Sequence, residues 1–196
     1  LMPWLVPKEV KRAIYLDSDM IVCADLGLLW DVGEREYVCQ AVQDCAVPYI
    51  DPQAALVNYN RCRRHLGSST PIANYRELGL DPIAPYFNSG LLVINLPEWR
   101  RADLTSQVLT CLENNRPYVR WSDQYALNVV LTRRWGQLDL RWNQGSNIFG
   151  YPSWSQSPFD RETFEQLRDD PYVIHYTTRY KPWLVSCLHP LQTKFF

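Results

Sequence analysis

Ala13-Ile14-Tyr15-Leu16-Asp17-Ser18-Asp19-Met20-Ile21-Val22 is the stretch on which the reading of this chain turns. Four mostly apolar residues lead into two carboxylates separated by one serine, and a second apolar run follows at once. The first run is too short for a helix and is bounded by polar residues, which predicts a buried strand. If the strand ends at Asp17 and the chain turns, both carboxylates reach one point at the strand's carboxyl end, where open α/β sheets place their ligands. Two hard oxygen donors there suit Mg²⁺ or Mn²⁺ with a diphosphate. An Asp-x-Asp triplet alone is more often a pair of solvated turn carboxylates, so the rest of the chain has to decide.

A second strong signal is Phe87-Asn88-Ser89-Gly90-Leu91-Leu92-Val93-Ile94-Asn95-Leu96. Residues 91–94 form a continuous apolar run, as in a strand of a sheet covered on both faces. Asn88, Ser89 and Gly90 stand at its start, where small residues let another group come close. Around these two strands the pattern alternates. Residues 2–12 read as a helix end and a loop limited by Pro3 and Pro7. Residues 26–30 read as a short helical turn with Asp25 placed to cap it. Residues 37–42 read as a strand that ends at Gln43 and Asp44. From Pro48 to Pro85 the chain is rich in Pro, Asn, Arg and Ser, an irregular excursion with one short helix near 53–64, and such segments often form binding loops. Residues 98–114 read as one helix, with an apolar stripe of Leu104, Val108, Cys111 and Leu112. A second helix runs over 123–132 with Ser122 as its N-cap. Residues 138–143 and 172–175 read as two further strands, the last ending in His175. Alternating strands and helices predict an α/β fold with a mixed sheet.

The chain has 196 residues, about one domain by length. A net charge of -1 points to no nucleic-acid partner. No apolar run approaches the ~18 residues of a membrane span. Six cysteines, at 23, 39, 45, 62, 111 and 187, include no Cys-x-x-Cys pair, so buried reduced thiols are expected. The eight tryptophans and twelve tyrosines read mostly as core, with sugar stacking as the alternative use. Both ends read as cut: Leu1 opens inside an amphipathic pattern, and Lys194-Phe195-Phe196 closes without a polar tail.

Other polar residues stand at the edges of apolar elements. His175 ends a strand. A lone histidine there is usually structural, but beside a metal candidate a nitrogen ligand shifts the preference from Mg²⁺ towards Mn²⁺. Lys181 could meet a phosphate as a point charge. Asp44, Asn88, Asp123 and Gln124 present the carboxylates and amides that read sugar hydroxyls. Taken singly, Asp44 reads as turn chemistry and Asp123 as helix capping.

The joint set resembles glycosyltransferase family 8, with a GT-A (Rossmann-like) fold. The resemblance is carried by Tyr15 to Val22, Phe87 to Leu96, Asp123-Gln124 with Leu127-Asn128, Arg141-Trp142-Asn143-Gln144, and His175-Tyr176 with Lys181-Pro182-Trp183. It implies an α/β GT-A mixed sheet flanked by helices, incomplete at the N-terminus, with residues 1–196 a fragment of one catalytic domain. It implies a retaining transferase that moves a hexose of the glucose or galactose class from a UDP-sugar to a glycan, lipid or protein acceptor, with Mn²⁺ (or Mg²⁺). In that reading Asp17, Asp19 and His175 bind the metal. Ser18 contributes backbone contacts near the ribose, Lys181 holds a phosphate, and Asp44 and Asn88 line the donor sugar. Asp123 and Gln124 are the catalytic pair, with Gln124 near the anomeric carbon and Asp123 the one candidate nucleophile. A cytoplasmic location is expected, with membrane association as the alternative. The chain departs from the family pattern at Thr178, where a glycine is common, and at Tyr125, where an aspartate is common. Two other readings compete: a non-catalytic carbohydrate-binding fragment, and a metal-dependent phosphatase opened by the same Asp-x-Asp.

Overall fold

The structure is a computed structural model and describes residues 2–31, 37–178, 181–184 and 190. In chain order its elements are α1 (Met2–Leu5), β1 (Arg12–Leu16), β2 (Met20–Val22), α2 (Gly27–Asp31), β3 (Cys39–Gln43), α3 (Pro52–Ala55), α4 (Tyr59–Cys62), β4 (Phe87–Asn95), α5 (Leu96–Arg101), α6 (Leu104–Asn114), α7 (Asp123–Val130), β5 (Trp135–Gln137), β6 (Gln144–Gly145), α8 (Arg161–Asp169) and β7 (Val173–His175). The strands form two mixed sheets flanked by helices. The larger has the order β1-β4-β3-β5, antiparallel except for the parallel β3/β5 pair. The smaller has the order β2-β7-β6, with β2/β7 antiparallel and β6/β7 parallel.

β4 carries the core on both faces, as its unbroken apolar run predicts. Phe87, Leu92 and Ile94 pack with Trp99 and Leu104 of the α5–α6 region and with Leu127 of α7. Leu91 and Val93 turn to the other side and pack with Leu29, Leu138, Trp142 and Val173. The irregular excursion holds its own cluster, in which Ile50, Ile72, Tyr75 and Tyr86 meet Tyr125 and Ala126 of α7. That cluster fixes α7, and with it the residues at the start of α7, against the sheet.

Four local expectations need correction. The helix expected over 98–114 is two helices. Asn95 caps the first, its Oδ1 accepting from the Glu98 N–H at 3.3 Å. The break comes at Asp103, which adopts φ 45, a left-handed conformation that aspartate tolerates better than most residues. The strand expected over 138–143 is instead a 3₁₀ turn, Leu140–Asn143. Asp139 starts it by accepting from the Arg141 N–H at 2.9 Å, a local bond that competes with a strand ladder; the strand lies just before, at β5. Ser122 makes no side-chain capping bond to α7. Its φ is 46, and the Gln124 N–H bonds the Trp121 carbonyl instead. The single helix expected near 53–64 is split into α3 and α4. Asp25 does bond forward as expected, accepting from the Gly27 N–H at 2.7 Å. Cys187 lies outside the described residues; Cys39, Cys45, Cys62 and Cys111 are free, and burial pushes the Cys39 and Cys45 thiols up to about 12.

Candidate active site

β1 ends at Leu16, and the Asp17 N–H still bonds the Gly90 carbonyl at 2.8 Å. The first carboxylate is therefore anchored to β4. The chain then turns over Ser18 and Asp19 and re-enters a strand at Met20, which pairs directly with His175 of β7. This crossing from one sheet to the other brings Asp17, Asp19 and His175 together, with one ligand atom from each within 4.8 Å of the others. His175 Nε2 is 3.2 Å from Asp19 Oδ1 and 3.6 Å from Asp17 Oδ2. Two carboxylate oxygens and an imidazole nitrogen converging on one point fit a divalent cation. The cradle is also closed from below. A Cβ on Gly90 would lie 2.4 Å from His175 Cε1 and 2.9 Å from Asp17 Oδ2, so only glycine lets the strand pass this close.

Neighbours orient each member of the triad. Tyr15 Oη donates to Asp17 Oδ1 at 2.7 Å, and that bond to a carboxylate holds the phenol well above its ordinary range. Asp19 lies well below the usual carboxylate range. Its bond with His175 contributes most, and the Lys181 ammonium adds to this against an opposing desolvation. Lys181 Nζ donates to Asp19 Oδ2 and to the Tyr176 carbonyl.

Beyond the triad, a line of polar side chains forms one wall of a cleft of about 520 Å³. The register of β3 against β4 slips between Ala41 and Val42: Ala41 faces Leu92, but Val42 faces Asn88. This irregularity frees the backbone at Ser89 and Gly90, as β-bulges beside active sites do. The two oxygens of Asp44 divide their work. Oδ1 accepts from the Ala46 and Val47 N–H groups at 2.7 and 3.1 Å, the expected turn chemistry. Oδ2 accepts from Asn88 Nδ2 and Gln124 Nε2, each at 3.0 Å. Gln124 Oε1 accepts from the Ser89 N–H at 3.2 Å, so both ends of this amide are committed. Asn88 Oδ1 accepts from the Gly90 N–H and from Asn143 Nδ2, each at 2.9 Å.

Asp123 lines the same cleft at its rim. Its carboxyl is raised from the ordinary value, first by desolvation and then by the Asp17 charge. Of the nine residues nominated from sequence, Asp17, Asp19, Asp44, Asn88, Asp123, Gln124 and His175 line this one cleft, with Thr178 beside them. Ser18 is exposed in the turn between the two carboxylates, and neither it nor Lys181 is among the residues that line the cleft. The sequence reading gave no role to Tyr15, Asn143 or Trp121. Tyr15 and Asp17 are two apart on one strand face, a spacing that signals contact. Trp121 and Ser122 have φ 52 and 46. Bulky residues rarely adopt such values, and nothing in the local sequence marks them.

The family model of glycosyl transferase family 8 matches residues 1–187. General stress protein A of Bacillus subtilis is 27% identical over 199 residues, covering 100% of this chain and 61% of its own length. Glycosyltransferase GlyB of Streptococcus pneumoniae is 31% identical over 186 residues, covering 92% of this chain and 37% of its own. Among solved structures, the galactosyltransferase LgtC in complex with donor and acceptor sugar analogues superposes with a TM-score of 0.70 at 21% identity, over 96% of this chain and 60% of that one. An active-site mutant of LgtC gives 0.72 over 99% and 62%. The fold is thus that of the GT-A enzymes, and the chain spans less than two thirds of the length of these relatives.

Proposed function

Since the chain belongs to glycosyltransferase family 8, we propose that it carries the donor-sugar half of a retaining transferase that moves a hexose from a UDP-sugar to a glycan, lipid or protein acceptor. The observation that carries this reading is the convergence of Asp17, Asp19 and His175 on one point at the end of a cleft lined with amides and carboxylates. Residues 1–196 are read as part of one catalytic domain.

Asp17, Asp19 and His175 would hold Mn²⁺, with Mg²⁺ as the weaker fit for a site with one nitrogen. Bound there, the cation supplies Lewis-acid neutralisation of the diphosphate leaving group. Lys181 would release Asp19 and turn its ammonium to a phosphate oxygen as a point charge. Ser18, in the turn between the carboxylates, offers backbone groups to the ribose side. Asp44 and Asn88 orient the donor sugar. Gln124 stands near the anomeric carbon as a fixed wall, because both ends of its amide are held. A held amide is a poor nucleophile. Asp123 at the rim keeps negative charge where the sugar develops positive charge. Retention is therefore read as same-face attack, the departing phosphate oxygen taking the acceptor's proton, with a double displacement through Asp123 as the alternative.

Among the described residues no helix is long and apolar enough to cross a membrane. Free thiols and a nucleotide-sugar donor favour a cytoplasmic site of action. Hydrolysis of UDP-hexoses by the full-length protein, with Mn²⁺ and then with EDTA, tests the reading. Release of UDP that needs the metal supports it. Binding of UDP-hexose without release supports a non-catalytic carbohydrate-binding role, and phosphate release with no nucleotide dependence supports a phosphatase.

A further inference from the structure

Asn143 is almost fully buried, 2% exposed, and sits 32 positions before His175. Its Oδ1 is 2.9 Å from His175 Nδ1. The direction of that hydrogen bond follows from groups that cannot be turned round. Asp44 Oδ2 can only accept, so the atom that Asn88 presents to it is the amide nitrogen. The Gly90 N–H can only donate, and it meets Asn88 Oδ1 at 2.9 Å, which fixes the same amide independently. Asn88 Oδ1 is then an acceptor towards Asn143, so Asn143 must present its nitrogen to Asn88 and its oxygen to the histidine. An amide oxygen only accepts. His175 must therefore carry a proton on Nδ1.

We propose that Asn143 is a positioning residue: it holds the His175 proton on Nδ1, and so keeps the lone pair of Nε2, the nitrogen that faces Asp17 and Asp19, open to a cation. The hydrogen-bond direction is set at Asp44, on the donor-sugar side of the cleft, and passes through Asn88 and Asn143 to the metal side. A histidine without such a partner must find the right tautomer and ring orientation at the moment of binding. The cation in this inference rests on the metal reading above; the position of the proton does not.

The test is long-range ¹H–¹⁵N correlation on the metal-free full-length protein with ¹⁵N-labelled histidine, under alkaline conditions where the ring carries one proton, with the His175 signal identified by its loss in His175→Gln. The wild type is expected to show the proton on Nδ1 of His175. A proton on Nε2 would overturn the proposal with no variant needed. Asn143→Leu removes the acceptor, and the signal is expected to move to the Nε2–H form. Asn143→Asp gives up the donor to Asn88 Oδ1 but keeps an acceptor towards Nδ1, and is expected to retain the Nδ1–H form. Mn²⁺ affinity by calorimetry should fall about 10- to 100-fold in the leucine variant and stay close to wild type in the aspartate variant. Equal losses in both variants, each melting as the wild type does, would reduce Asn143 to packing and overturn the proposal. A wild type with the proton on Nδ1 but no Mn²⁺ binding would overturn the metal reading instead.

Discussion

Gly90→Ala gives a sharp perturbation of the site, because the structure fixes its geometry on two sides. The added methyl would lie 2.4 Å from His175 Cε1, 2.8 Å from Met20 Cε and 2.9 Å from Asp17 Oδ2. Carbon atoms in contact stand about 3.5 Å apart, so the imidazole would have to recede by about 1 Å. Met20 can swing its terminal methyl away. The other two cannot move freely: Asn143 holds the ring at Nδ1, and Tyr15 holds Asp17 at Oδ1. Overpacking of this kind costs about 1–3 kcal/mol, offset by about 0.5–1 kcal/mol from removing a glycine within a strand. The net loss of up to about 2.5 kcal/mol corresponds to a fall in Tm of up to about 10 °C for a chain of this size. The metal effect should be the larger one. At a Mn²⁺ concentration about 100 times the dissociation constant, bound metal stabilises the wild type by about 2.7 kcal/mol. A 1 Å displacement of one ligand that weakens binding about 100-fold would leave only about 0.4 kcal/mol of that at the same concentration. Thermal melts of both proteins, with and without Mn²⁺, read the two effects separately. A Gly90→Ala protein with an undiminished Mn²⁺-induced rise in Tm would refute the closed cradle.

Other expectations follow from the neighbours of the site. Tyr15→Phe keeps the ring packed on the sheet and removes only the donor to Asp17, so Mn²⁺ affinity should fall about tenfold with little change in Tm; calorimetry showing unchanged affinity would deny Tyr15 its orienting role. Lys181→Met should act in opposite directions on two ligands. UDP should bind less tightly without the ammonium, while Mn²⁺ alone should bind more tightly because nothing competes for Asp19; a parallel loss of both would contradict the exchange of Lys181 between Asp19 and phosphate. Asp123 has a raised folded-state pKa, so its charged form is penalised in the native protein. That penalty is present near neutral pH and fades as pH falls through the raised value and then the ordinary one. Asp123→Asn should therefore be more stable near neutrality by up to about 0.5 kcal/mol, with the difference closing in acid and with a lowered rate of sugar transfer. Chemical denaturation across pH tests the sign.

The core of this site was legible because its chemistry lies at strand ends. A short apolar run followed by Asp17 and Asp19 can end in only a few ways, and an unbroken run at 91–94 implies a strand covered on both sides. What stayed hidden depends on pairing across the sheets. Asn143 reaches His175 because the 3₁₀ turn at Leu140–Asn143 leads into β6, which runs parallel to β7 with Gly145 opposite His175. Read as a short strand, residues 138–143 gave Asn143 no partner. The break at Asp103 was hidden for a different reason: the apolar stripe read from the sequence begins at Leu104, after the break, and only the backbone turns left-handed. Lys181 was read as a point charge for a phosphate, the role the resemblance implies; what the sequence could not show is that its ammonium donates to Asp19 Oδ2 and to the Tyr176 carbonyl.

The most direct test of the account is titration calorimetry of UDP into the full-length protein with Mn²⁺, with EDTA, and with Asp19→Ala in Mn²⁺. The account expects binding only in the first case, with the Asp19→Ala protein still folded by its melt, since a carboxylate at the cleft contributes little to the core. UDP binding that survives both EDTA and the loss of Asp19 would contradict the assignment of Asp17, Asp19 and His175 as a metal-assisted diphosphate site.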